Sequence, residues 1–139
     1  MTDPDLVAKK LALIETSVRE LQALARPAEI DRDIREQRFV EHTLQIGIQA
    51  ALDVASHVVS DERLGEPRTN RHLFELLQTH GWIELTLSSR LQAMAGFSNV
   101  LVHGYDSVDL SIVRDVLEHR LGDLLQFVAV IRKRIGPSL

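Results

Sequence analysis

The sequence predicts an all-α, up-and-down bundle of about five helices. Three observations carry this. Apolar residues recur at helical spacing through every long segment, nothing alternates with period two for long enough to form a strand, and short connections marked by Gly and Pro separate the segments. The 139 residues suffice for one domain with a real core, spanning 1–139, and contain no internal repeat or low-complexity tract.

Asp3-Pro4 opens the first helix, Asp as cap and Pro in the first turn. Leu6, Leu11, Ile14, Val18 and Leu21 form its apolar stripe, and Pro27 closes it. The second segment runs from about Asp31 to Ser60, with Val40, Leu44, Ile48, Ala51, Leu52, Ala55 and Val59 on one face. Gly65 and Pro67 mark the loop ERLGEPRTN. Asn70 is the expected cap of a short third helix carrying Leu73, Phe74 and Leu77, with Gly81 after it. Thr86 or Ser88 starts the fourth, which runs through Leu91, Met94, Phe97 and Leu101 to Gly104. Asp109 caps a fifth helix with Leu110, Val113, Leu117, Leu121, Leu124, Val128 and Ile131 along one face. Two of these helices are long for a small domain, and such helices often bury surplus apolar surface in a homodimer.

Composition narrows the function. Apolar residues make up 45% and charged residues 26%, the balance of a soluble globular protein. There is no Cys, which excludes disulfides and thiolate metal sites and fits a reducing, cytoplasmic setting. The N-terminal MTDPDLVAKK lacks an apolar signal core, and no apolar run reaches the roughly 20 residues that span a bilayer, so no membrane association is expected. The net charge of −4 repels phosphate overall, so a nucleic-acid binder of this sequence needs a local basic groove.

The informative stretch is GFSNVLVHGYD, residues 96–106. At 100° per residue Leu91, Met94, Ala95, Leu101 and Val102 form one arc, with Ser98 in its middle and Tyr105 extending it. Asn99 and His103 share another face, with His103 roughly 140° from Ser98. On spacing alone the bland readings lead: a seam Ser bonds back to a carbonyl one turn earlier, a His at a helix end serves the helix dipole, and a following Tyr is half-buried. Elsewhere, Asp53 with His57, Asp115 with His119, and His72 with Glu75 each offer two metal ligands, but no third is evident, so these read as surface pairs and no metal or other cofactor is expected. Arg132–Arg134 reads as a favourable basic helix end. There is no Gly-rich phosphate loop and no aromatic stacking platform.

The segment from Phe97 to Tyr105 closely resembles the signature of the HEPN superfamily in its HepT-like branch, an Arg, four residues, a His, one residue, then a Tyr. Phe97, Asn99, Leu101, Val102, His103 and Tyr105 fit, while Ser98 stands where the family has its Arg. The stretch REQRFVEHTLQIGIQAALDVASHVV resembles the family's long second helix, and YDSVDLSIVRDVLEHRLGDLLQFVAVI its last, so the likeness covers most of the chain. The resemblance implies an all-α homodimer, a metal-independent endoribonuclease acting on tRNA or mRNA, and the toxin role in a type VII toxin–antitoxin pair. The implied partner is an MntA-like nucleotidyltransferase antitoxin that silences the toxin by AMPylation of Tyr105.

The chemistry explains those residue types. RNA carries its own nucleophile, the 2′-hydroxyl, and cleavage needs a base, an acid for the leaving 5′-oxygen, and positive charge at the phosphorus. Imidazole as a side-chain type suits both acid and base work near neutral pH, which makes His103 the acid/base candidate. Asn99, one turn earlier, can orient it or hold a phosphate oxygen. An Arg meets two phosphate oxygens at once; Ser98 does not, so a weak or inactive nuclease is expected. AMP on Tyr105 adds bulk and negative charge where RNA phosphate must sit. Arg68, Arg71 and Arg90 are candidates to line the RNA groove. The alternative is a catalytically dead module that dimerises and engages the nucleotidyltransferase.

Overall fold

The computed structural model describes residues 3–103 and 108–136, and these are helical throughout apart from turns and connections. The helices are α1 (Pro4–Leu24), α2 (Ile34–Asp61), α3 (Asn70–Thr79), α4 (Leu85–His103), α5 (Leu110–His119) and α6 (Leu121–Ile135), with a 3₁₀ turn at Pro27–Glu29. The all-α bundle expected from the sequence is the one found, with the last expected helix divided in two.

Local chemistry sets most of the boundaries. The Asp3 carboxylate accepts from the N–H groups of Asp5 and Leu6, Asp33 accepts from Arg35, and Asp109 from Ser111, each satisfying donors that a helix start leaves unpaired. Thr69, not Asn70, caps α3, its Oγ1 accepting from the His72 N–H at 3.1 Å. Ser88 does not cap α4. It is fully buried, and its hydroxyl donates to the Phe74 carbonyl at 3.2 Å, tying α4 to α3. Gly81 follows α3 with φ +78°, a conformation that favours glycine.

The expected fifth helix breaks at Arg120, which has φ −118° and belongs to neither helix. The sequence's one signal is Gly122, a weak helix former beside the break. The break frees α5 to cover the turn after α1: the Arg114 guanidinium donates to the Pro27 carbonyl at 3.5 Å and pairs with Asp31. α6 instead packs on α1, α4 and α2.

α2, 28 residues and about 42 Å long, is the spine, touching α1, α3, α4 and α6. Its predicted stripe is buried from Val40 to Val59, as are the predicted α3 positions. On α1 the buried residue is Val7 rather than Leu6, which is 40% exposed. The crossing of α1 over α2 is close at Gly47, where a Cβ would lie 3.3 Å from the Ser17 Cβ. Phe74 and Phe127 meet edge-to-face at the centre, with ring centroids 5.8 Å apart. Arg132 and Glu15 clamp α6 to α1 through two hydrogen bonds of 3.1 and 2.8 Å. Arg134 lies over the Trp82 ring at 4.5 Å. Two of the three terminal basic residues thus hold the bundle together, beyond the dipole role expected of them.

Candidate functional site

Residues 97–103 of the motif form the last two turns of α4, laid against the N-terminal half of α2. Ser98 is buried, as its seam position predicts. Its hydroxyl does not turn back to its own helix, however. It donates to Gln45 Oε1 on α2 at 2.7 Å. The reason is proximity: Gln45 stands at the edge of the buried α2 stripe and brings an acceptor across the seam. Gln45 was not singled out in the sequence. The signal available was a polar residue flanking an apolar stripe and opposite another polar seam residue.

Asn99 and His103 are exposed on the other side of α4, as the helical angles require. Ser98 and His103 are five residues apart, about 7.5 Å of helix rise. Val100 and Val102, 42% and 37% exposed, flank His103 with apolar surface, so Val102 lies at the rim of the buried arc. Gly104 and Tyr105 lie outside the described residues, as does the expected end of the helix at Gly104.

The three candidate RNA-contacting arginines lie in different settings. Arg68, in the loop before α3, is exposed, and its backbone N–H donates to His72 Nδ1 at 3.0 Å. Arg71, on the first turn of α3, reaches over α4, where its Nη1 lies 3.4 Å from the point a Cβ on Gly96 would occupy. Gly96 lies seven residues before His103, within about 20° of the same helix face, so Arg71 lies beside the Asn99–His103 face. Arg90 lies elsewhere: its Nη1 is 3.3 Å from Oδ1 of the buried Asp123 on α6. It also borders a cavity of about 370 Å³ between α4 and α5, with Met94, Phe97, Ile112, Val116 and Arg120.

A second cavity, of about 340 Å³, lies between α2 and the end of α4, lined by Arg38, Glu41, His42, Gln45, Leu101 and Val102. Of the three expected carboxylate–imidazole pairs, His72 and Glu75 stand 4.0 Å apart, whereas Asp53 pairs with Lys10 Nζ at 2.9 Å, His57 Nε2 lies 3.0 Å from Asp61 Oδ2, and Asp115 lies 4.0 Å from Arg120. Among the described residues no three such groups cluster as a metal would need. Nor is any helix there long and apolar enough to cross a membrane.

Together these features describe an all-helical bundle of the HEPN type, carrying an Asn and a His on the exposed face of α4. Comparison with known proteins narrows the class. The family model Ribonuclease HepT-like matches residues 14–131, and the chain belongs to that family. The mRNA nuclease HepT of Shewanella oneidensis is 33% identical over 129 residues, covering 92% of this chain and 97% of the relative. The tRNA nuclease HepT of Aphanizomenon flos-aquae is 30% identical over 112 residues, 77% of this chain and 74% of the relative. Among solved structures, the tri-AMPylated Shewanella oneidensis HEPN toxin in complex with MNT antitoxin superposes with a TM-score of 0.86 at 32% identity, covering 93% of this chain and 98% of that one. The Bacillus subtilis cytosolic protein YutE, of unknown function, shares the fold alone, at a TM-score of 0.88 and 14% identity.

Proposed function

We propose that this chain is the toxin of a type VII toxin–antitoxin pair, a metal-independent endoribonuclease scaffold weakened at one position. The observation that carries the reading is the division of labour on α4: Asn99 and His103 face outward while residue 98 is turned onto α2. His103 removes the proton from the RNA 2′-hydroxyl or returns one to the leaving 5′-oxygen, as the 2′-oxygen attacks the neighbouring phosphorus and the P–O5′ bond breaks. Asn99 orients the imidazole or holds a phosphate oxygen. Arg68, Arg71 and Arg90 contact the RNA, Arg71 being the best placed of the three. Residues 1–139 act as one domain in the cytoplasm, and two copies assemble as a homodimer through exposed apolar side chains such as Val100 and Val102 beside the motif.

The regulatory half of the proposal is that an MntA-like nucleotidyltransferase attaches AMP to the Tyr105 hydroxyl, releasing pyrophosphate from ATP. The tri-AMPylated relative in complex with MNT antitoxin supports it. That chemistry belongs to the partner and does not need the missing Arg, so it persists in the Ser98 form. Incubation with the cognate transferase, ATP and magnesium is expected to add one or more AMP masses, and Tyr105→Phe to abolish the gain. Equal modification of the Phe variant would remove Tyr105 as the acceptor.

One observation favours a second reading. Ser98 is only 4% exposed and its hydroxyl is engaged by Gln45, so it offers nothing to a phosphate. A non-catalytic module that dimerises and binds the transferase is consistent with that arrangement.

A further inference from the structure

The Ser98–Gln45 hydrogen bond raises a question of charge. If residue 98 presents no cation, what holds an RNA phosphate beside His103? On α2, Arg38, Glu41, His42 and Gln45 fall at successive positions of one helical stripe, and all four line the cavity of about 340 Å³ against α4. The pairing across it is graded. Gln45 meets Ser98, and the Arg38 end of the stripe extends towards the turn of α4 that carries Leu101 and Val102, immediately before His103.

Arg38 is weakly committed where it stands. Its only described partner is Glu41, at 3.5 Å, the outer limit of a hydrogen bond, and its side chain is 62% exposed. Most of its five N–H donors therefore face water. The Glu41 side chain is 17% exposed and forms the inner wall, so the guanidinium is anchored from within and open outward. His42 adds an exposed imidazole on the same stripe. Leu101 and Val102 supply an apolar wall beside which charge is less screened. A cavity with an open guanidinium, an imidazole and a carboxamide, whose α4 wall ends one residue before His103, suits a phosphodiester.

We propose that this α2–α4 cavity is the phosphate subsite of the chain and that Arg38 holds the RNA phosphate there, in place of the Arg that position 98 lacks. The proposal rests on the ribonuclease reading above. It is specific to this sequence, since an Arg at 98, beside Gln45, would offer the same cavity a second cation and leave Arg38 less needed.

The test measures binding, which does not require turnover. A fluorescent 2′-O-methyl RNA oligonucleotide, which has no free nucleophile, is titrated by anisotropy at several salt concentrations. The full chain, Arg38→Gln, Arg38→Lys, Ser98→Arg and the Ser98→Arg/Arg38→Gln double variant are compared. Arg38→Gln is expected to weaken binding by about tenfold and to reduce the slope of log affinity against log salt by about 0.7. Arg38→Lys is expected to keep the salt slope, and in the Ser98→Arg background the loss on Arg38→Gln shrinks to about twofold or less. Because Arg38 is exposed, melting temperatures of these variants serve as a fold check and are expected to stay close to the parent's. Parental binding by Arg38→Gln, or an equal loss in both backgrounds, overturns the subsite while leaving the ribonuclease reading intact. Failure of every variant to bind RNA overturns both.

Discussion

Arg90 has two possible tasks, and a stability measurement separates them. Asp123 is 5% exposed, in the first turn of α6, with Oδ1 3.3 Å from Arg90 Nη1; among the described residues its Oδ2 finds no hydrogen-bond partner. Arg90→Ala therefore strands a carboxylate in the packed interface of α4 and α6. Removing one partner of a fully buried pair costs about 3–5 kcal/mol. The Arg90 side chain, however, is 47% exposed, so water screens the pair, and the helix start gives Asp123 some compensation. The discounted cost is about 1–2 kcal/mol, a fall of roughly 4–8 °C in melting temperature for a domain this size. Replacing both partners, Arg90→Ala with Asp123→Asn, removes the stranded charge and is expected to recover at least half of the loss. Thermal unfolding by circular dichroism reads all four members of the cycle. A melting temperature unchanged in Arg90→Ala, or strictly additive effects, would refute the pairing argument.

Two other outcomes follow from the packing. Hydrogen bonds and charge from Arg132 hold the Glu15 carboxyl below its usual range, even against the opposing effect of burial. A depressed folded-state pKa gives stability that is present above the unfolded value, about 4.3, and lost as pH falls through the folded value. Arg132→Met is thus expected to cost less than about 1 kcal/mol at pH 7 given the pair's exposure, read as a small fall in melting temperature, and to cost less near pH 2. An equal loss at both pH values would contradict it. Sedimentation at micromolar concentration is expected to give a homodimer, and Val100→Asp with Val102→Asp to shift it towards monomer. A parent that sediments only as a monomer rules out the proposed dimer.

Much of the fold was legible because helical periodicity and capping chemistry are local. Asp3, Asp109 and the α2 stripe act as their residue types and spacing dictate. What was not legible depends on partners distant in sequence. Thr69 and Asn70 are both good caps, and the register of α3 on α4, fixed in part by Ser88 and Phe74, is invisible along the chain. The break at Arg120 follows from where α5 must reach to meet Pro27 and Asp31. At the site, the opposite facing of Ser98 and His103 was readable from helical angles, but the Gln45 acceptor came from 53 residues away. The arginines differ for the same reason: Arg71 meets Gly96 and Arg90 meets Asp123 only through tertiary packing.

The central claim is that this chain is a ribonuclease scaffold lacking one cation. Ser98→Arg tests it directly. The side chain at 98 meets an available acceptor in Gln45 Oε1, and the cavity of about 340 Å³ beside Gln45 gives a guanidinium room. Cleavage of a labelled RNA in excess EDTA is measured for the parent, for Ser98→Arg, and for Ser98→Arg with His103→Ala, each confirmed as folded. The account predicts a gain of about a hundredfold or more from the Arg, undiminished by EDTA, and its loss on removing His103. A folded Ser98→Arg protein that cleaves no faster than the parent, or whose cleavage stops in EDTA and returns with magnesium, would contradict it.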